Sequence, residues 1–283
     1  WYQFPIGDSL QVWVGPKIEN YYMLASSPSI YRPVTKQFAL GGNGSAYGSS
    51  TSPGFGVAWT QNVDDPTDAR FALSANYSAK NGGNSAADHG LFGDETESFL
   101  LTKVEYGSPQ WQVSFAAAVK DGWDNDGYYQ SALATSSPNV DSDGTSNQMN
   151  AYAVRAYWKP DETGAVPAVQ LGYDFASIDD AAAGEAEETN GWMIGLGWQD
   201  LFIDGNRGGL AFGSRQAATQ VKSGGSVTED PEEDNSVWEA YYTFKVNDSV
   251  TVTPAIFGAS DVTNASGNVT DVDGYVLLTE FRF

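Results

Sequence analysis

The segment YVLLTEFRF, residues 275–283, alternates between two kinds of side chain. The odd-numbered positions, which form one parity of the segment, carry apolar residues and one threonine: Tyr275, Leu277, Thr279, Phe281 and Phe283. The other parity carries the charges, Glu280 and Arg282. Because successive side chains of a β-strand point to opposite faces, a period of two is typical of a strand. The segment therefore predicts a strand that has one apolar face and continues to the last residue.

The composition indicates a β-protein along the whole chain. The 283 residues are 41% hydrophobic and 13% aromatic, with 31 glycines, and the apolar residues alternate more often than they recur every three to four positions. A run of about 18 apolar residues, which a membrane-spanning helix would need, does not occur. The absence of cysteine excludes disulfides and thiolate metal sites. The net charge of −22 argues against nucleic acid as a partner.

Thirteen candidate strands succeed one another, and the connections between them alternate in length. The strands are predicted near residues 1–6, 10–18, 54–62, 69–80, 98–106, 110–120, 148–159, 167–177, 189–199, 207–216, 236–246, 249–259 and 272–283. Most are as long as the 9–11 residues that a tilted strand needs to cross a membrane. Short turns on one rim and long loops on the other are typical of outer-membrane barrels. The sequence thus predicts an all-β fold, a transmembrane antiparallel up-and-down β-barrel in which residues 1–283 form a single domain.

The two parities of the predicted strands differ in chemistry. One carries large apolar residues such as Phe55, Val57 and Trp59, and the other carries small and polar residues together with nearly all strand charges. These charges are Arg70, Lys103, Glu105, Lys120, Arg155, Asp174, Glu239, Lys245, Glu280 and Arg282. A soluble β-protein would bury its apolar side, and parity alone does not distinguish the two arrangements. Trp and Tyr concentrate near the strand ends, as in interfacial girdles, which favours a barrel among the lipids of a bacterial outer membrane.

The last strand and the strand count lead to two further predictions. A sheet can span lipid only if its first and last strands pair. A final strand that ends on Phe resembles the assembly signal of bacterial outer-membrane proteins, here Phe283 with Phe281 and Tyr275. Such barrels have an even number of strands. Because thirteen is odd, we expect fourteen or, in preference, sixteen strands in the complete protein, with more sequence before Trp1.

Two other stretches resemble a known family. WYQFPIGDSLQVWVGPKIENYYMLASSPSIY, residues 1–31, is similar to the middle of cyanobacterial outer-membrane porins, which are related to carbohydrate-selective (OprB-like) porins and often labelled iron-uptake porins. WEAYYTFKVNDSVTVTPAIF, residues 238–257, resembles their penultimate hairpin, including Pro254. The resemblance implies a homotrimeric diffusion channel for small hydrophilic solutes. It also implies peptidoglycan contact, but only through an N-terminal surface-layer-homology domain that is missing from this sequence.

The placement of charge predicts where solutes would be selected. More than half of the 36 acidic residues lie in the long loops, whereas the basic residues lie mostly on lumen-facing strand positions. The longest loop, 19–53, has Glu19 as its only acid. A loop of this length is a candidate to fold into the lumen and narrow it. The alternative is an exposed loop that covers a subunit interface.

We expect Arg32 and Lys36 of this loop to face basic side chains of the barrel near its narrowest point. The predicted pore-lining residues are Arg32, Lys36, Tyr31, Arg70, Lys103, Glu105, Arg155, Lys245 and Arg282. An ion would then meet basic groups after an acidic mouth, so we predict a porin for small solutes, chiefly inorganic ions, with weak or modest selectivity. A carbohydrate-selective porin, with loop tyrosines stacked on sugar rings, is one alternative. A structural outer-membrane anchor with little conductance is another, although the small inward residues favour an open lumen.

Other chemistry has little support in the sequence. Asp121, Asp124 and Asp126 alternate as in calcium loops, but the glutamate that an EF-hand places twelve positions from its first ligand is missing. A solvated acidic loop is the simpler interpretation, and a divalent site that bridges to lipopolysaccharide is the alternative. His89 is the only histidine, which leaves no histidine cluster and a single candidate base for a catalytic triad. We therefore expect no enzymatic activity and no cofactor.

Overall fold

The computed structural model describes residues 1–42, 45–48, 51–80, 82–85, 89–94, 96–122, 148–179, 181, 183–224, 235–263 and 269–282. The strands are β1 Tyr2–Ile6, β2 Leu10–Ile18, β3 Ser52–Thr60, β4 Arg70–Ala79, β5 Ser98–Gly107, β6 Trp111–Asp121, β7 Gln148–Trp158, β8 Ala168–Ile178, β9 Ala186–Gln199, β10 Arg207–Ser214, β11 Ala217–Val221, β12 Ser236–Asn247, β13 Val250–Thr263 and β14 Val269–Phe281. Two 3₁₀ helices cover Asn20–Tyr22 and Lys36–Gly41. Within these ranges, neither helix has the length and apolar character required to cross a membrane.

The strands form one antiparallel sheet in which neighbours in sequence pair in space. The order runs from β1 to β10 and then through β12, β13 and β14, which confirms the predicted all-β, up-and-down fold. The thirteen strands on this path correspond to the thirteen predicted ones. The sheet is compatible with a β-barrel.

The fourteenth strand corrects one boundary of the prediction. β11 lies inside a segment predicted as a loop and pairs with the start of β9, where Ala217 lies opposite Asn190. The backbone of β9 gains hydrogen-bond partners there, so β9 begins at Ala186 instead of near residue 189. A strand of five residues without strong alternation leaves too little signal in the sequence to be predicted.

The connections keep the predicted alternation of short and long in four of the six cases. Short turns join the strands at one edge of the sheet, which we call the turn edge: 7–9, 61–69, 108–110, 159–167, 200–206 and 248–249. Longer segments at the opposite edge, the loop edge, join β2 to β3, β4 to β5, β6 to β7 and β10 to β12. The connections from β8 to β9 and from β13 to β14 were also predicted to be long, but they are shorter than the nine residues of the 61–69 turn, because β9 begins at Ala186, β13 ends at Thr263 and β14 begins at Val269. Polar side chains stabilise the turns locally, since Asn247 Oδ1 accepts a hydrogen bond from the Ser249 amide at 2.8 Å. In the 61–69 turn, the amide and hydroxyl of Thr67 donate to Asp65 and hold the pKa of its carboxyl below the ordinary value.

The two faces of the sheet have opposite polarity. Leu73 and Val113 are 49% and 51% exposed, whereas the neighbouring Ser74 and Ser114 are buried. The same exposed parity carries large apolar side chains on most strands, among them Phe55, Val57, Trp59, Phe71, Phe115, Tyr152, Val154, Leu171, Tyr173, Trp192, Ile194, Phe212 and Phe244. We call this the outer face and the polar one the inner face. Soluble proteins usually bury apolar side chains and expose polar ones. This sheet exposes its apolar face and buries its polar face, which suggests a membrane β-barrel.

Most of the buried apolar side chains lie between the inner face and the segment that joins β2 to β3, residues 19–51, which we call the inner loop. Loop residues Leu24 and Tyr47 pack in one cluster with inner-face residues of β5 to β8. Tyr31 and Phe38 pack in a second cluster with inner-face residues of β9, β10, β12 and β13. Because one loop packs against strands far apart in the pairing order, the sheet curves around it.

Candidate functional site

The inner loop approaches the sheet first at β4 and β5. The side-chain amides of Asn20 and Asn76 hydrogen-bond at 2.7 Å, and Asn76 donates back to the carbonyls of Asn20 and Met23. Two residues on, the amide of Ala25 donates to Ser74 Oγ at 2.8 Å. These short polar side chains on the inner parity of β4 satisfy backbone groups of a segment that has few partners of its own.

Ser26 connects the loop to an ion pair on β5. Lys103 and Glu105, both buried, form the pair, and they lie two positions apart on the inner parity. Lys103 Nζ donates to the carbonyl and hydroxyl of Ser26, each at 3.1 Å, and Ser26 Oγ donates to Glu105 at 2.9 Å. The lysine and the glutamate therefore neutralise each other and hold the loop between them.

A second ion pair holds the far part of the loop. Arg155 on β7 and Asp174 on β8 are joined at 2.8 Å, and both side chains are buried. The same guanidinium donates through Nε to the carbonyl of Leu40 at 2.9 Å and lies 5.4 Å from the ring centre of Tyr47. Burial raises the pKa of the Tyr47 phenol, so that side chain stays neutral beside the ion pair.

The loop touches the sheet backbone at Gly172 on β8. A Cβ atom at this position would collide with the carbonyl oxygen of Gly41. Gly41 itself has φ of 78°, a conformation that favours glycine. Close approach of loop and strand therefore requires glycine on both sides.

Glu239 on β12 makes the densest contact with the loop. Its carboxylate is fully buried and accepts four hydrogen bonds: from Tyr31 Oη at 2.9 Å, from the amides of Val34 and Thr35 at 3.0 and 2.9 Å, and from Thr35 Oγ1 at 2.6 Å. Burial and the negative charge of Glu239 raise the pKa of the Tyr31 phenol, which keeps it a hydrogen-bond donor. A single inward carboxylate thus fixes the centre of the loop.

The structure places the predicted pore-lining residues at several separate positions. Arg32, Lys245 and Arg282 line one cavity at the turn edge, together with Arg207. Lys103, Glu105 and Arg155 hold the loop as described above, and Tyr31 belongs with Glu239. Arg70 lines a separate cavity of about 270 Å³ with Ser26 and Glu105. Lys36 is exposed at the start of its 3₁₀ helix.

Arg32 therefore lines a cavity with Arg207, Lys245 and Arg282, whereas Arg70 lines a different one. The reason is the anchoring of the neighbouring Val34 and Thr35 on Glu239, which directs this part of the loop toward β12. Parity had placed Asp174 and Glu239 on the inner face, but it did not identify them as loop contacts. Their only signal in the sequence was a single carboxylate at an inward position of each strand.

The remaining predicted sites lie at the edges of the sheet. Tyr275 and Phe281 project from the outer face of β14 and are 87% and 61% exposed, and Phe283 lies outside the described residues. Asp121 ends β6, while Asp124 and Asp126 also lie outside them. Among the residues that are described, histidine and carboxylate side chains form no group of three suited to a metal.

Models of known protein families do not match this chain. The curated proteins likewise provide no match. The resemblance to cyanobacterial porins stays a prediction, so the function has to be inferred from the polarity of the sheet and the contacts of the inner loop.

Proposed function

We propose that the protein is a bacterial outer-membrane porin, a water-filled channel through which small hydrophilic solutes, chiefly inorganic ions, diffuse passively. The observation that carries the proposal is the reversed polarity of the sheet, with apolar side chains bare on the outer face and polar ones around the inner loop. In lipid, an antiparallel sheet with such faces places its apolar side chains against hydrocarbon and its polar ones around water.

The inner loop supports a fixed constriction. Its contacts with Glu105, Arg155 and Glu239 lie on β5, β7 and β12. The loop is therefore held on the inner face by strands that are far apart in the pairing order. Buried charges in these contacts are paired or hydrogen-bonded, which specifies one loop position. Small solutes would pass beside the loop, and the size of the remaining passage would limit them.

A structural anchor with little conductance is the second candidate. The observation in its favour is that the loop packs on inner-face residues from β5 to β13, as a plug would. A carbohydrate-selective channel has less support from the loop tyrosines, because Tyr31 and Tyr47 are buried in packing contacts. Tyr22 is exposed and stacks on Trp1 at 5.5 Å between ring centroids.

Conductance across a planar lipid bilayer tests the proposal. The purified protein, added to one side, is expected to produce discrete current steps, with a reversal potential in a salt gradient that indicates weak or modest selectivity. Protein heated until unfolded serves as the control. Stable insertion without current steps would favour the structural anchor, and strong cation selectivity would contradict a passage that leads past basic groups.

If the apolar face contacts lipid, a charged substitution on it should destabilise the protein more in the middle of the bilayer than near the bilayer surface. Val154→Arg, in the middle of β7, is expected to destabilise the protein in lipid by about 2–4 kcal/mol, because the side chain would enter hydrocarbon. Val246→Arg, near the turn edge of β12, is the matched control and should cost about 0–1 kcal/mol. Urea unfolding in lipid vesicles measures both. In a soluble protein, either exposed valine would tolerate arginine within about 0.5 kcal/mol, so equal small effects would contradict membrane insertion.

A further inference from the structure

Three cavities at the turn edge share two arginines. Their volumes are about 260, 180 and 430 Å³, and Arg32 and Arg207 line all three. Arg282 lines two of them. Because the same side chains border each cavity, we treat the three as one recess and call it the arginine recess.

Three separate parts of the chain form the arginine recess. Arg207 is the first residue of β10 and has inner parity, and Arg282, which directly follows β14, has the same parity. Arg32 comes from the inner loop, two residues before the anchored Val34. Tyr241 on β12 lines two of the three cavities together with Arg32 and Arg207. The recess therefore depends on the loop being folded onto β12.

The charges of the recess do not balance. The side chains of Arg32, Arg207 and Arg282 make no hydrogen bond or ion pair with another residue in the part of the chain that the structure describes. Lys245 and Asp248 neutralise each other at 2.9 Å. Glu280, which accepts a hydrogen bond from Thr251 at 3.1 Å, is the remaining carboxylate among the lining residues. The recess thus keeps a surplus of positive charge in a chain whose net charge is −22.

The ligand that fits this surplus is a small oxyanion with two negative charges. A guanidinium group presents a planar fork of donors that matches the oxygens of a phosphate group, and several arginines together favour a doubly charged anion over chloride. Arg32 and Arg282 are exposed, so an anion reaches them from water. We propose that the arginine recess binds a phosphate group at the turn edge of the channel. The proposal rests on the proposed porin function and adds an anion site to it.

Phosphate inhibition of chloride current tests the site. The reporter is the conductance of the reconstituted protein in sodium chloride, with sodium phosphate added at a pH where the dianion predominates. Arg207→Gln removes one of the two charges that all three cavities share and is expected to weaken inhibition about tenfold. Arg70→Gln is the matched control, because Arg70 is also the first residue of a strand after a turn but lines a different cavity. The control should keep the parent sensitivity to phosphate.

Glycerol phosphate in a parallel titration distinguishes the source of the anion. Equal potency would assign the site to phosphate groups in general, and lower potency would assign it to inorganic phosphate. Equal loss of sensitivity in both arginine variants, or chloride current that phosphate does not change, would overturn the site and leave the channel standing.

Calorimetric titration separates failure of the site from failure of the porin proposal. Sodium phosphate is titrated into the detergent-solubilised protein, which requires no conductance. Saturable heat that is lost in Arg207→Gln and kept in Arg70→Gln would support the site even in a protein that does not conduct. Titration without saturable heat would overturn the site independently of the conductance result.

Discussion

Glu239→Ala is expected to release the centre of the inner loop. The substitution removes the acceptor of four hydrogen bonds, from Tyr31, Val34 and Thr35, at a site fully excluded from water. Hydrogen bonds to a charged group contribute about 1.5–3 kcal/mol each when the buried partners cannot be solvated. Because a released loop regains water as a partner, we expect a net loss of about 3 kcal/mol in the free energy that holds the loop, or about a hundredfold more of the open state.

Two measurements detect the released loop. Limited proteolysis of the folded protein should cut the inner loop much faster in Glu239→Ala than in the parent. The average single-channel conductance should rise as well, because the loop no longer occupies the inner face. Glu280→Ala is the control for proteolysis, since it also removes an inward carboxylate, but one whose hydrogen-bond donor is Thr251 on β13. Unchanged cleavage in Glu239→Ala would show that this carboxylate does not hold the loop.

Arg155→Met is expected to destabilise the whole protein by about 3–5 kcal/mol. The change leaves the buried Asp174 carboxylate without its guanidinium partner and removes the donor to the Leu40 carbonyl. A buried carboxylate that loses its counter-charge is costly, because the surrounding protein cannot replace the interaction. The expected effect exceeds that of exposed ion pairs such as Lys245 with Asp248, which contribute about 0–1 kcal/mol.

A double-mutant cycle with Asp174→Asn tests the origin of this cost. If the uncompensated carboxylate causes it, the double variant should be less destabilised than the sum of the two single variants by about 1 kcal/mol or more. Urea unfolding in lipid vesicles, followed by tryptophan fluorescence, provides the free energies. Lys80→Met is the control for loss of a paired cation at a partly exposed site. Additive effects would show that Arg155 acts through its loop contacts and not through Asp174.

The charged residues of the inner face could be predicted from the sequence, but their contacts could not. Alternation assigned Lys103, Arg155 and Glu239 to the inner parity before any tertiary contact was considered. It could not pair them with residues of the inner loop, because the partners Ser26, Leu40 and Thr35 lie in a segment without periodicity. The length of the loop predicted that it folds into the lumen. Length does not indicate which strands the loop contacts.

The arginine recess illustrates the same limit. Arg32, Lys245 and Arg282 were predicted to line the passage, whereas Arg207 was not, although it has the same inward parity. Four candidates on separate strands and a loop have no relation in sequence that would group them. The cavities group Arg32 with Arg207 because Glu239 fixes the loop two residues away.

The sequence by itself determined the order of the strands, the positions of the short turns and the polarity of each face. These properties are local, because the two-residue period of a strand assigns every side chain to a face whatever the strand packs against. The tertiary structure alone decided that β11 extends β9, that Glu239 and Arg155 hold the inner loop, and that three arginines share a recess. Those contacts join residues far apart in the chain, and their positions depend on the curvature of the sheet and the path of one irregular loop.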